Sequence, residues 1–310
     1  SSKRWFIGQE IIDQQIDEAI IKGENDKALS LIDSKGTTKQ RNEEIEKSKK
    51  AYENHKKLAQ QHDELAEKYK EDYESKVENQ ILDFMRKYQI SFMAVNYNDA
   101  LAYLDTARGL QEEHLGLQHP DLATTYNEIG LVYYSKGDSY EALKWYDKAL
   151  EIREKVLDPL SPDLANTYNN KGLVYANQGK NEEAMKWYDK SLEICEKVLD
   201  PLHPNLATTY NNKGLVYANQ GKYEEALKLY NKALEIDEKV LDPLSPDLAI
   251  LYNNKGTVYL KQGKYEEALK WYDKALEIQE KVLDPLHPDL ATSYNNKGLV
   301  YANQGKYEEA

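Results

Sequence analysis

Ser161-Pro-Asp-Leu-Ala-Asn-Thr-Tyr-Asn-Asn-Lys-Gly-Leu-Val-Tyr-Ala-Asn-Gln-Gly179 returns 42 residues later as His203-Pro-Asn-Leu-Ala-Thr-Thr-Tyr-Asn-Asn-Lys-Gly-Leu-Val-Tyr-Ala-Asn-Gln-Gly221. Further copies open at Ser245 and His287, and a looser one opens at His119. A fixed period of this length is the signature of a solenoid, where each unit buries its apolar face only by stacking on its neighbours. Function is then sought along a long surface rather than in a catalytic pocket. The copies also align with one another, so positions that hold can be compared with positions that drift.

One copy, 161–202, reads as a helical hairpin. Ser161 is placed to cap a helix, Pro162 to occupy its first position, and Asp163 to sit at the positive end of its dipole. Leu164, Tyr168, Gly172 and Tyr175 fall on one helical face, and Gly179 ends the helix. A second helix starts near Asn181 and carries Ala184, Met185, Trp187, Tyr188, Ser191, Leu192, Ile194 and Val198 at spacings of three and four. Asp200-Pro201 stops it, and Pro204 starts the next unit. Small Gly172 and Ala184 let the two helices approach closely.

The order Tyr168, Gly172, Tyr175, Gly179, Ala184, Tyr188, Ser191 resembles the tetratricopeptide repeat. The 42-residue period, with Tyr-Asn-Asn, Gly-Lys-Tyr-Glu-Glu-Ala and Lys-Ala-Leu-Glu-Ile-x-Glu-Lys-Val-Leu, looks like the kinesin-light-chain form of that repeat. The resemblance implies an all-α, right-handed superhelical solenoid of antiparallel hairpins, preceded by a long charged helix. The expected organisation is a short helix pair in 1–38, a charged helix in 39–80, a degenerate repeat in 81–118 and the regular array in 119–310. Its copies are 119–160, 161–202, 203–244, 245–286 and a truncated 287–310. Ile45, Tyr52, Ala59, Ala66 and Tyr73 fall seven apart, with His55, His62 and Tyr69 between them. That pattern reads either as a weak coiled-coil seam or as an amphipathic helix laid against the start of the solenoid.

In an array of hairpins the first helices line the concave side. Asn166, Asn170, Leu173 and Asn177 share the face opposite the Tyr168–Gly172–Tyr175 stripe. The next copy offers Thr208, Asn212, Leu215 and Asn219; the following ones offer Ile250, Asn254, Thr257 and Lys261, then Thr292, Asn296, Leu299 and Asn303. An amide both donates and accepts, so such a ladder suits an extended peptide backbone of any sequence. The resemblance implies that the asparagines matching Asn170, Asn212, Asn254 and Asn296 contact bound peptide. The other reading has these amides bonding the neighbouring hairpin. Relatives that grip a terminal carboxylate carry Lys or Arg here, and only Lys261 qualifies, so an uncharged or mildly polar segment is expected.

A second ladder is Lys171, Lys213, Lys255 and Lys297, on the core side where the family has Leu or Ile. One reading packs each stem on tyrosine rings and pairs its ammonium with a second-helix acid such as Glu183 or Asp189. The other makes the four lysines an anion site. Position 195 drifts as Arg153, Cys195, Asp237 and Gln279, which suggests a solvent-facing site rather than a reactive cysteine. His119, His203 and His287 alternate with serine before proline, which marks helix starts and not metal ligands. Trp145, Trp187 and Trp271 with Tyr146, Tyr188, Tyr230 and Tyr272 suggest packing between repeats.

The remaining features exclude classes. A net charge of −13 makes a phosphate backbone an unfavourable partner. No apolar run reaches membrane-spanning length, and one cysteine fits a reducing, cytoplasmic compartment. Phosphate loops, dinucleotide motifs and nucleophile elbows are missing, so neither a cofactor nor a metal nor catalysis is expected. The chain starts Ser1-Ser2 and stops at Ala310 within a copy, which reads as a piece of something longer. The favoured reading is an adaptor that binds a protein or peptide. The alternatives are the regulatory arm of a larger enzyme or signalling protein, and a self-associating array.

Overall fold

The computed structural model describes residues 42–51 and 63–306. The expected helix pair in 1–38 and the heptad positions Tyr52, His55, Ala59 and His62 lie outside them. Every regular element described is a helix. The chain falls into two compact units, the first ending at Leu157 and the second beginning at Asp158.

In the first unit, residues 42–51 form helix α1, followed by α2 (Asp63–Met93), α3 (Tyr97–His114), α4 (Pro120–Ser135) and α5 (Ser139–Val156). The charged stretch 39–80 is not one straight helix. Gln80 Nε2 donates to Asn42 Oδ1 at 2.8 Å and Lys76 Nζ to Ser48 Oγ at 2.9 Å. In one helix, partners 28 and 38 residues apart would be separated by roughly 40–60 Å. Instead α1 runs antiparallel to α2, and Ile45 packs with Val77, Ile81 and Phe84. The long charged helix is α2. It pairs with α3, which lies within the 81–118 stretch expected as a degenerate repeat. Tyr88, Ala100 and Leu104 of that hairpin pack on Ile129 and Val132 of α4.

In the second unit the hairpins are α6 (Pro162–Asn177) with α7 (Asn181–Val198), α8 (Pro204–Asn219) with α9 (Tyr223–Val240), and α10 (Pro246–Lys261) with α11 (Tyr265–Val282). Helix α12 (Pro288–Asn303) begins the next. The caps follow the residues. Asp163 N donates to Ser161 Oγ at 3.3 Å, and Asn205 N donates to His203 Nδ1 at 3.2 Å. Serine and histidine therefore fill one capping role. Gly179 adopts φ +71°, and Lys180 N reaches back to Tyr175 O at 2.9 Å, closing α6 in a left-handed turn. Asp200 Oδ1 accepts from Leu202 N at 2.8 Å and shapes the turn into the next hairpin.

Within a hairpin the helices close over one contact. A Cβ at Gly172 would lie 2.6 Å from Tyr188 Cε1, so the tyrosine ring occupies the space that a side chain would need. Between hairpins the same tyrosine packs with Ala184 against Val216, and Tyr272 with Ala268 against Val300. Trp145 packs against the cluster that Tyr88, Ala100 and Leu104 of the preceding hairpin form with α4, as expected, but two other tryptophans behave otherwise. Trp187 packs on Tyr168 of its own hairpin at 5.5 Å, and Trp271 on Tyr252 at 5.6 Å. The tyrosines join neighbouring repeats, while these tryptophans brace the two helices of one repeat.

Candidate ligand-binding face

Polar bonds cross each junction in the second unit at recurring positions. Between 161–202 and 203–244, Tyr210 OH donates to Glu196 at 2.7 Å, Lys213 Nζ to Asp189 at 2.5 Å, and Asn212 Nδ2 to Asn169 Oδ1 at 3.3 Å. One repeat on, Tyr252 donates to Glu238 at 3.0 Å, Lys255 to Asn231 at 2.7 Å, and Asn254 to Asn211 at 2.8 Å. At the last junction Tyr294 meets Glu280 and Lys297 meets Asp273, both at 2.6 Å. There Asn253 Nδ2 donates to Ser293 Oγ at 2.7 Å instead.

Asn212 and Asn254 thus each give an N–H to the preceding hairpin, as the inter-repeat reading of the ladder requires. Asn170 and Asn296 are half-buried on the same face. Asn166, Asn177, Asn219 and Asn303 are exposed, Leu173 is half-buried, and Leu215 is exposed. The exposed amides form the rim of the ladder, and Asn212 and Asn254, bonded across the junctions, form its inner row.

Lys213 and Lys297 are paired with an acid of the preceding hairpin: Asp189 serves Lys213, not Lys171. Lys171 lies 4.0 Å above the Trp187 ring, and Lys255 lies 3.6 Å above Trp271. Asn231 leaves Lys255 facing an amide where Lys213 and Lys297 face a carboxylate. Burial, with Lys274 and Lys270 adding and Glu238 opposing, brings the Lys255 ammonium down to about 8.

An open cavity of about 130 Å³ lies between 161–202 and 203–244. Asn166, Asn169 and Asn170 line one side, Asn205, Thr208 and Thr209 the other, and Ser191 and Cys195 also face it. No charged side chain lines it. Asn166 and Asn170 are brought together there; the rest of the amide set lies outside it.

Cys195 corrects the sequence reading. It is 1% exposed, and its counterparts Arg153, Asp237 and Gln279 are also buried. The position drifts although solvent does not reach it, because it faces the gap between hairpins. Its stripe could have revealed it: Ala184, Tyr188, Ser191 and Cys195 are spaced four, three and four. Each occupant has different chemistry. Arg153 Nη2 donates to Thr124 Oγ1 at 3.1 Å, and Gln279 Oε1 accepts from Ser293 Oγ at 2.6 Å. Burial pushes the Cys195 thiol up, with the Ser191 hydroxyl acting in the opposite sense. Burial, then the Asp247 carboxylate, pushes Asp237 up to about 6.

Among the described residues no three His, Cys, Asp or Glu converge as metal ligands, and no helix is long and apolar enough to cross a membrane.

The comparisons agree with this architecture. The chain is similar to BtubC (BKLC) from P. vanneervenii, at 22% identity and a TM-score of 0.57 over 76% of this chain and 86% of that one. It is also similar to the nearly identical TPR-like repeats of a Podosopora anserina protein named for the kinesin light chain (21%, TM-score 0.51, 67% and 97% covered). A third likeness is to PilW, a widely conserved type IV pilus biogenesis factor (19%, TM-score 0.55, 74% and 88% covered). None of the curated proteins matches the sequence. The tetratricopeptide-repeat model matches residues 92–155, 121–184, 163–239 and 247–310, well over half of the chain. With hairpins, glycine–tyrosine contacts and repeat period all in agreement, the chain belongs to the tetratricopeptide-repeat family.

Proposed function

We propose that the first-helix face of the second unit binds an extended, mildly polar peptide or protein segment, and that the protein is a cytoplasmic adaptor or scaffold rather than an enzyme. The observation that carries this reading is the open cavity between 161–202 and 203–244, walled by amides and hydroxyls without a charged group. A charged ligand group would lose its water there with no opposite charge to meet, whereas backbone amides and small polar side chains find donors and acceptors. Asn212 and Asn254 stiffen the face through their cross-hairpin bonds, and the exposed amides Asn166, Asn219 and Asn303 are offered to ligand.

The two rows require different variants. Asn212→Ala or Asn254→Ala removes a cross-hairpin bond and so confuses binding with stability. The triple variant Asn166→Ala, Asn219→Ala, Asn303→Ala touches exposed rim positions only. In a pull-down, the triple variant should retain partners roughly tenfold less well, with an unchanged melting temperature, as expected for a few lost hydrogen bonds. Equal retention by both proteins rejects the amide face as the binding surface.

A further inference from the structure

The buried drifting position offers more than shape. Glu-Ile-x-Glu-Lys-Val-Leu-Asp-Pro-Leu is constant in all four complete copies, while x is Arg153, Cys195, Asp237 or Gln279. A site that only fills space would keep its volume and polarity, because a buried polar group without a partner is costly. Arg153 and Gln279 meet this demand internally, through Thr124 and Ser293. Asp237 does not. It is 7% exposed, and among the described residues no donor or cation bonds its carboxylate. Its register on α9 is that of Cys195 on α7, whose side chain faces the cavity. Asp247, the counterpart of cavity-lining Asn205, is the charge that acts on it, in keeping with the same register one repeat on. Leu251 stands there in place of Thr209 and cannot donate.

We propose that Asp237 is a specificity-determining residue of the groove: it receives one basic side chain, lysine or arginine, of the bound segment, beside Asp247. The inference rests on the groove reading above and sharpens it. The segment is otherwise uncharged: the Cys195 gap takes a neutral side chain, and Gln279 is already bonded to Ser293. The unpaired buried carboxylate gains a partner on binding, and the ligand ammonium or guanidinium exchanges water for two acids.

The test uses the full 310-residue chain and a phage-displayed library of random ten-residue peptides, selected at neutral pH. Wild-type protein should enrich peptides with Lys or Arg at one fixed place. Asp237→Asn should lose that preference while keeping the rest of the selected pattern, and Asp237→Lys should favour Asp or Glu there. The best peptide, labelled for anisotropy, should bind Asp237→Asn about tenfold more weakly, the scale of one charge-assisted bond. Its lysine-to-norleucine analogue should bind both proteins alike, a comparison independent of any change in folding. Peptides enriched without a basic residue, or equal loss for both peptides, overturn the role of Asp237 and leave the groove standing. If wild-type protein enriches no peptide at all, the groove reading falls, and this inference with it.

Discussion

Asn231 is a single-atom-group change with a calculable consequence. Lys213 and Lys297 face aspartates, but Lys255 faces an amide and is 5% exposed. Its folded-state value of about 8 lies below the ordinary 10.5, so folding disfavours the charged form. Stability from this site is complete above about pH 10.5 and falls as pH drops towards 8. Asn231→Asp restores the carboxylate. It should raise stability at pH 7 by roughly 1–2 kcal/mol and flatten the rise between pH 7 and 10, read from urea melts. A variant that keeps the wild-type slope contradicts the assignment. Asp237 is the mirror case. Its value is raised from 3.8 to about 6, so stability is fullest below pH 4 and falls as pH climbs through 6. Asp237→Asn should remove that fall and gain about 2 kcal/mol at pH 7, measured against pH 4.5. The lysine ladder was legible in the sequence because the copies align. Its partner was not, since the pairing of Lys213 with Asp189 depends on how one hairpin stacks on the next, and a repeat read alone carries no stacking register.

The hairpin is the scale at which local sequence and structure agree best. Caps, proline starts, glycine stops and the glycine–tyrosine contact all follow from residue type and spacing. Gly214 shows how little slack remains: a Cβ there would lie 2.7 Å from Tyr230 Cε1. Gly214→Ala should cost about 1–3 kcal/mol in thermal unfolding, and Tyr230→Leu in the same chain should recover part of the loss. Additive losses in the double variant contradict the contact. Drift between copies was a poorer guide than spacing. It suggested an exposed Cys195, whereas the 184–188–191–195 stripe turns that side chain inward. The charged N-terminal stretch misled for a related reason. Its composition permits one long helix, but Ile45 gains more by folding back on Val77 and Ile81 than by facing water.

For the molecule as a whole, the period supplied the family and left the ligand to the side chains that vary. The second unit offers two kinds of surface. Its second helices display lysines and glutamates paired at a spacing of four, such as Lys197 with Glu193 and Lys239 with Glu235. These pairs are solvated and of little energetic weight. Its first helices display amides, hydroxyls and a cavity. Ligand is predicted to bind the first-helix surface. A selected peptide carrying a benzophenone at its centre, photocrosslinked to the full chain and mapped by mass spectrometry, tests this most directly. Crosslinks on α6, α8 and α10, around Asn166, Asn170 and Thr208, are the predicted result. Crosslinks confined to the Glu-Lys faces of α7, α9 and α11 would contradict it.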